Sequence, residues 1–243
     1  METLNPIHSK AALEIQDVIV VADLHLGIEE ELKRHGINLP HQTDALAREL
    51  VELCFESNKK KLIILGDVKH AIPWQTSHVR RFFAKIFEMA PELRVGIIPG
   101  NHDGNLELDI EERIQIYSNR GMTLNSVGLF HGHMYPSEEV TRCQTLVTGH
   151  EHPCLKLGEG IFERCWLRVP FSKKGEKWKD GKGEVVIMPA FNELCGCNSL
   201  SLSHEHYLSP LIKRDFLDLE KGIIYLLDGV SLPLREVIDA PRS

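Results

Sequence analysis

Asp23 and His25 stand two residues apart just after the apolar run at 18–22, and four later segments repeat the theme. Gly66-Asp67 closes the run at 62–65, and Gly100-Asn101-His102-Asp103 follows the run at 93–98. His131-Gly132-His133 follows 126–130, and Gly149-His150-Glu151-His152 follows 144–148. Aspartates, imidazoles and one asparagine amide make an oxygen and nitrogen donor set without thiolate. Such a set suits divalent Mn, Fe, Zn or Ni better than an iron–sulfur cluster or a structural zinc. In an extended chain, residues two apart point to the same side, so Asp23/His25 and His150/His152 are each expected to face one cavity. The glycines predict sharp turns and close backbone approach where the ligands gather. Taken singly, Asp23 or Asp67 reads as a turn or helix-cap residue. Taken together, five separate turns would each have to imitate part of one ligand set, in order.

The elements around these motifs say how they meet. Residues 14–22 (EIQDVIVVA) predict one buried strand, and 61–65 and 93–98 predict two more. Residues 29–35, 42–55 and 77–89 predict helices. In the second, Leu46, Leu50, Leu53 and Cys54 recur at helical spacing; in the third, Val79, Phe82, Phe83, Ile86 and Phe87 form the core stripe. Alternating strand and helix argues for a mainly parallel sheet, whose ligands collect at the carboxyl ends of its strands. Beyond residue 110 the pattern changes: 113–117, 126–130, 144–148, 161–169, 184–188 and 222–227 are strand candidates with fewer helices between them. They predict a second sheet packed on the first within a single domain, 1–243. Its motif-bearing core is 14–152, and 153–243 completes the second sheet. The polar segment 173–183 is expected to be an exposed hairpin loop. Its five lysines around Trp178 have the chemistry to contact phosphates and stack a base, but a solvated loop is the reading taken.

Composition narrows the classes. The chain has 243 residues, 42% hydrophobic and 26% charged, enough to bury a full core. A net charge of -7 gives no global attraction to nucleic acid or anionic lipid. The apolar runs are strand-length, too short to span a bilayer, and the N-terminal residues lack the layout of a secretory signal. The six cysteines, Cys54, Cys143, Cys154, Cys165, Cys195 and Cys197, contain no CxxC pair and are expected to be reduced and mostly buried. Cys195 and Cys197 flank Gly196, where a redox or metal pair is the alternative. A cytoplasmic location follows as the expectation.

In their order, Asp23-x-His25, Gly66-Asp67, Gly100-Asn101-His102-Asp103, His131-Gly132 and Gly149-His150-Glu151-His152 resemble the calcineurin-like metallophosphoesterase superfamily over residues 18–152. The wider context (ADLHLGIEEEL, LGDVKH, GNHD, LFHGH, GHEHP and MPAFNELCG) resembles a narrower branch. That branch is associated with DNA ligase and helicase genes in the DNA-damage response. The resemblance implies a four-layer α/β/β/α sandwich of two mixed sheets, with a dimetal site at the strand C-terminal rim. It implies that Asp23, His25 and His152 hold one divalent ion, that Asn101, His131 and His150 hold the other, and that Asp67 bridges them. Mn²⁺ is expected first, with Fe, Ni or Zn as alternatives. Ions about 3.5–4 Å apart lower the pKa of a bridging water and neutralise phosphate oxygens. His102 would protonate the departing oxygen and Asp103 would hold or bias its imidazole. His133 lines the pocket, contacts phosphate or packs. His70, His204 and His206 read as surface or structural, and no role is readable for Asn192.

The function implied is hydrolysis of phosphate esters, with phosphodiesters ahead of monoesters or nucleotides and nucleic acid a candidate substrate. A helicase or ligase partner comes with the branch, and no membrane partner is expected. The rival from another class is a non-catalytic scaffold of the same fold. Such proteins tend to lose a ligand or the proton donor, whereas His102 and all seven ligand positions are present here.

Overall fold

Short β-branched runs cannot satisfy their own backbone groups, so they pair, and here they pair into two sheets. The protein is described from a computed structural model covering residues 4–70, 76–108, 110–173, 181–214 and 216–239. The first sheet holds, in spatial order, β1 (Leu4–Pro6), β2 (Ala12–Ile15), β3 (Val18–Ala22), β4 (Lys61–Leu65), β5 (Arg94–Ile98) and β6 (Gln115–Ile116). Its strands from β3 to β6 run parallel; helices α1 (Ile28–Arg34) and α2 (Thr43–Glu56) lie between β3 and β4, and α3 (Thr76–Met89) between β4 and β5.

The second sheet holds β7 (Met122–Leu124), β8 (Val127–Phe130), β9 (Thr145–Thr148), β10 (Pro153–Gly158), β11 (Ile161–Lys173), β12 (Gly181–Ile187) and β13 (Asn198–Ser199), with β14 (Ile223–Leu226) and β15 (Ser231–Pro233) beside β11. Strand β11 is long enough to pair with three others: β10, β12, and β14 over 165–168. Three short helices lie along this half, α4 (Glu138–Thr141), α5 (Pro210–Lys213) and α6 (Leu234–Asp239).

Period-two alternation in the strands builds the layers. Ile19, Val21, Leu62, Ile64, Val95 and Ile97 face α2 and α3, meeting Leu50, Phe82, Phe83 and Ile86. Their neighbours Val18, Val20, Ala22, Ile63, Leu65 and Ile98 face the other way, onto Val127, Leu129, Val147, Trp166 and Val186 of the second sheet. The far side of that sheet, including Leu146, Leu167, Val185 and Ile187, packs on Val140, Leu211, Ile212 and Leu234 from α4, α5 and α6. Three apolar layers separate four structural ones, which is the expected α/β/β/α sandwich.

Two expectations are corrected. Residues 14–22 form not one strand but a hairpin, with Ile15 paired to Val18 and the polar Gln16 turning at a φ of 54°. The six cysteines are not all reduced: Cys154 and Cys197 form a disulfide. The parallel pairing of β10 with β13, Pro153 opposite Asn198, brings their Cα atoms to 5.8 Å. A cytoplasmic location therefore loses the support it drew from reduced thiols. Most of the lysine-rich loop, 174–180 with Trp178, lies outside the described residues; the strands flanking it pair out to Lys173 opposite Gly181. Among the described residues, no helix is long and apolar enough to cross a membrane.

Candidate metal centre

The parallel registers set the ends of β3, β4 and β5 level, with Ala22 opposite Leu65 and Leu65 opposite Ile98. In the second sheet Phe130 is level with Thr148. Asp23, His131 and Gly149 directly follow their strands, and Asp67 and Gly100 come one residue later, so the motifs emerge side by side at one rim. The two sheets are stitched there. His131 Nδ1 is 2.8 Å from the Leu65 carbonyl, and the His150 amide donates to Asp23 Oδ2 at 3.0 Å.

The local conformation is not the extended one that the two-residue spacing suggested. Asp23, His25, Asp67, His150 and His152 have φ of 58°, 41°, 48°, 70° and 45°. Left-handed φ is uncommon outside glycine, though Asp and His tolerate it better than most, and it gathers at functional sites. Backbone bonds enforce it: the Asp23 amide donates to the Gly66 carbonyl at 3.2 Å and the His25 amide to the Asp67 carbonyl at 2.8 Å. Both members of each pair still face one cavity, by tight turning rather than by strand alternation.

The side chains converge on Asp67. Its Oδ2 lies 3.6 Å from His25 Nε2 and 3.4 Å from His131 Nε2, and Asp23 Oδ1 lies 3.3 Å from His152 Nε2. Donor atoms of Asp67, His131 and His150 all lie within 4.8 Å of one another, as do those of His25, Asp67 and His102. Four atoms of this cluster, Asp23 Oδ1, His25 Nε2, His131 Nε2 and His152 Nε2, are buried with no hydrogen bond. Leaving so many polar atoms unsatisfied costs about 1–3 kcal/mol each unless a ligand meets them. His131 and His152 each direct Nδ1 at a backbone carbonyl, of Leu65 and Gly196, which turns the Nε2 lone pair inward. The donor set fits a pair of divalent cations. Asn101 sits exposed on the turn after β5, and His133 is half-buried beside His131 and His150, its Nδ1 buried without a partner.

Charge follows the same logic. Burial works against ionising Asp23 and Asp67, but the surrounding imidazoles outweigh it and hold both below the usual carboxylate range. Burial also opposes a charge on His131, yet the two aspartates raise it to about 9. Burial lowers His25, His133 and His150 to about 4, leaving neutral imidazoles suited to coordination. Against its burial, Asp23 likewise raises His152, so the two carboxylates are balanced by imidazole protons that a bound cation would displace.

Several roles differ from expectation. The Asp103 carboxylate does not hold the His102 ring; it accepts from the Gly100 amide at 2.8 Å and the Lys69 amide at 3.1 Å, tying its own turn together. The His102 ring is held instead by the His70 carbonyl, 2.5 Å from Nδ1. His70 is thus part of the site, its own ring 3.3 Å from His25 Nδ1 and 2.7 Å from Glu31 Oε2. His204 and His206 bond backbone carbonyls of Ile212 and Ser199. Glu151, buried between His150 and His152, accepts from the Leu208 and Ser209 amides and so anchors their turn to the second half of the chain. Asn192 binds the Leu24 carbonyl at 2.8 Å, docking its segment onto the Asp23/His25 turn.

A Cβ on Gly100 would run into the Asp67 carboxylate and amide. Gly100→Ala should therefore keep the fold while lowering metal affinity about 10–100-fold, as losses of supporting interactions do. Gly196→Ala, whose Cβ would meet nothing within 4 Å, should leave affinity unchanged in the same calorimetric titration. Equal affinities for the two variants would contradict the close approach.

The sequence pattern of the calcineurin-like phosphoesterase family matches residues 17–154, more than half of the chain. No curated protein matches it. Among solved structures, the chain is similar to the Pseudomonas putida nuclease MPE. They share 23% identity with a TM-score of 0.59, over 95% of this chain and 100% of that one. It also aligns with YfcE, a phosphoesterase from E. coli, at 18% identity and a TM-score of 0.37, over 71% and 77% of the two chains. The match to residues 17–154, together with the Asp and His clusters on the turns of a two-sheet sandwich, shows that the chain belongs to the calcineurin-like phosphoesterase family, hydrolases of phosphate esters with a dinuclear divalent metal site.

Proposed function

We propose that this phosphoesterase prefers phosphodiesters and that nucleic acid is its substrate class. The observation that carries a hydrolytic centre is the set of buried, unbonded donor atoms around Asp67 with His102 beside them. In this reading Asp23, His25 and His152 hold one cation, Asn101, His131 and His150 the other, and Asp67 both. The bound pair, manganese in the first instance, would supply Lewis acidity and an activated water. The protein's residues do the rest. With Nδ1 fixed on the His70 carbonyl, His102 Nε2 carries the proton that the departing oxygen needs. His133, with its buried unpartnered Nδ1, contacts a phosphate oxygen. Asp103 keeps the turn bearing Asn101 and His102 in shape.

The diester preference is supported by the motif context and by the description of the Pseudomonas putida protein as a nuclease. Overall acidity argues against tight nonspecific duplex binding, though not against acting on short or single-stranded ends. The test is to strip the protein with chelator and restore Mn²⁺, Ni²⁺, Fe²⁺, Zn²⁺ or Mg²⁺ separately. Each form is then assayed on a chromogenic diester, its monoester, and labelled DNA or RNA. Manganese-restored protein should cleave the diester faster than the monoester and cut single strands. A faster monoester would make it a phosphomonoesterase, and failure on all substrates would revive the scaffold reading.

A further inference from the structure

The segment 190–197, from the second half of the chain, is pinned across the His25/His152 side of the centre. The Phe191 amide donates to the Ala22 carbonyl at 2.8 Å, and Asn192 Nδ2 to the Leu24 carbonyl at 2.8 Å. Asn192 Oδ1 accepts from the Leu194 amide, and the Asn192 carbonyl from the Cys195 amide. The Gly196 carbonyl meets His152 Nδ1 at 3.0 Å, and Cys197 is bonded to Cys154, two residues past His152. Cys195 is held between these anchors, on the turn nearest the ligands.

Its sulfur shares a cluster with a ring nitrogen of His25 and one of His152, all within 4.8 Å of one another, and lies 3.7 Å from the Asp23 carbonyl. Cys195 is not bonded to another cysteine. A second observation points into the same space. His25 is 5% exposed and Asp23 0%, and neither His25 Nε2 nor Asp23 Oδ1 makes a hydrogen bond.

We infer that Cys195 is a thiolate ligand of the cation held by Asp23, His25 and His152, an inference that rests on the metal reading of the centre. On binding, the S–H bond breaks, a sulfur–metal bond forms and the proton leaves to solvent. The consequence is asymmetry. A thiolate with two imidazoles and a carboxylate favours softer ions such as Zn²⁺, Fe²⁺ or Co²⁺ in this half. The other half, with Asp67, Asn101, His131 and His150, keeps the oxygen and nitrogen donors that suit Mn²⁺. The centre would thus take two unlike metals.

Cobalt reads this directly, because thiolate ligation gives Co²⁺ an intense near-ultraviolet charge-transfer band. Full-length protein loaded with Co²⁺, its disulfide intact, should show the band. Cys195→Ser should lose it while still binding cobalt, and Cys143→Ser should keep it. A cobalt-loaded wild type without the band, or a Cys195→Ser spectrum identical to wild type, would overturn the proposal. Should Cys195→Ser fail to fold, alkylation of the wild type decides: Zn²⁺ should protect Cys195 from iodoacetamide, and equal labelling with and without Zn²⁺ counts against ligation. A Cys195-dependent band in a protein that hydrolyses no diester would leave this inference standing and remove only the diesterase reading. Diester hydrolysis without the band would do the reverse.

Discussion

Asp67→Ala should remove metal from both halves of the centre at once and reduce diester kcat/KM by about 10³-fold or more. The magnitude follows from a metal pair contributing several kcal/mol to charge stabilisation, at about 1.4 kcal/mol per factor of ten. Asp67 reaches both groups through one oxygen: its Oδ2 is 3.6 Å from His25 Nε2 on one side and 3.4 Å from His131 Nε2 on the other, whereas Asp23 Oδ1 meets His131 only at Nδ1, 3.7 Å away, the nitrogen turned to the Leu65 carbonyl. Its Oδ1 accepts the His102 amide at 3.0 Å, so the variant also loosens the turn carrying Asn101 and the proton donor. His150→Ala, by contrast, withdraws a ligand from one group only and should leave the His25/His152 side loaded. Elemental analysis of dialysed protein, alongside steady-state kinetics, checks both. An Asp67→Ala protein that keeps its full metal content would show that the halves fill independently, and the bridging role would fall. The variant should remain folded, since the apolar layers that hold the two sheets together are built from other residues.

The order of the motifs was legible because each is local: an apolar strand runs out, and a polar turn bearing Asp, Asn or His begins. Burial of the strand on both faces was legible because Val18–Ala22 is apolar throughout, and Val18, Val20 and Ala22 do face one apolar layer while Ile19 and Val21 face another; the four-layer count came with the family resemblance. What depended on distant partners was not legible. The left-handed turns at Asp23 and His25 are imposed by carbonyls of Gly66 and Asp67, more than forty residues away. Asp103 faces the His102 ring in sequence, but two backbone amides compete for its carboxylate and win, while the carbonyl of His70 takes the ring. The Cys154–Cys197 disulfide and the approach of Cys195 to His25 both follow from strand pairing and docking between remote segments. In sequence Cys195 and Cys197 read as a pair of reduced thiols, and the spacing could not show that Cys197, beside β13, reaches Cys154 while Cys195 lies near His25 and His152.

His102→Ala separates proton donation from metal binding, because His102 takes part through a ring held from outside the ligand set. Its Nδ1 is fixed on the His70 carbonyl and its ring lies 5.0 Å from that of His25. Removing the ring leaves Asp67, His131, His150, His25 and His152 untouched, so both metals should be retained. The kinetic cost should then track the leaving group. An alkoxide leaving from a nucleic-acid backbone needs a proton in the transition state, and losing a positioned acid costs about 10²–10⁴-fold. A nitrophenolate is stable as an anion and needs little help, so the same variant should hydrolyse a nitrophenyl diester at close to the wild-type rate. His70→Ala preserves the carbonyl that holds His102 and should spare the leaving-group dependence, although it alters the packing on His25. Metal content, then kcat on a leaving-group series, distinguishes the cases. A His102→Ala enzyme slowed by the same factor on every ester would show that the ring positions substrate or metal rather than delivering a proton.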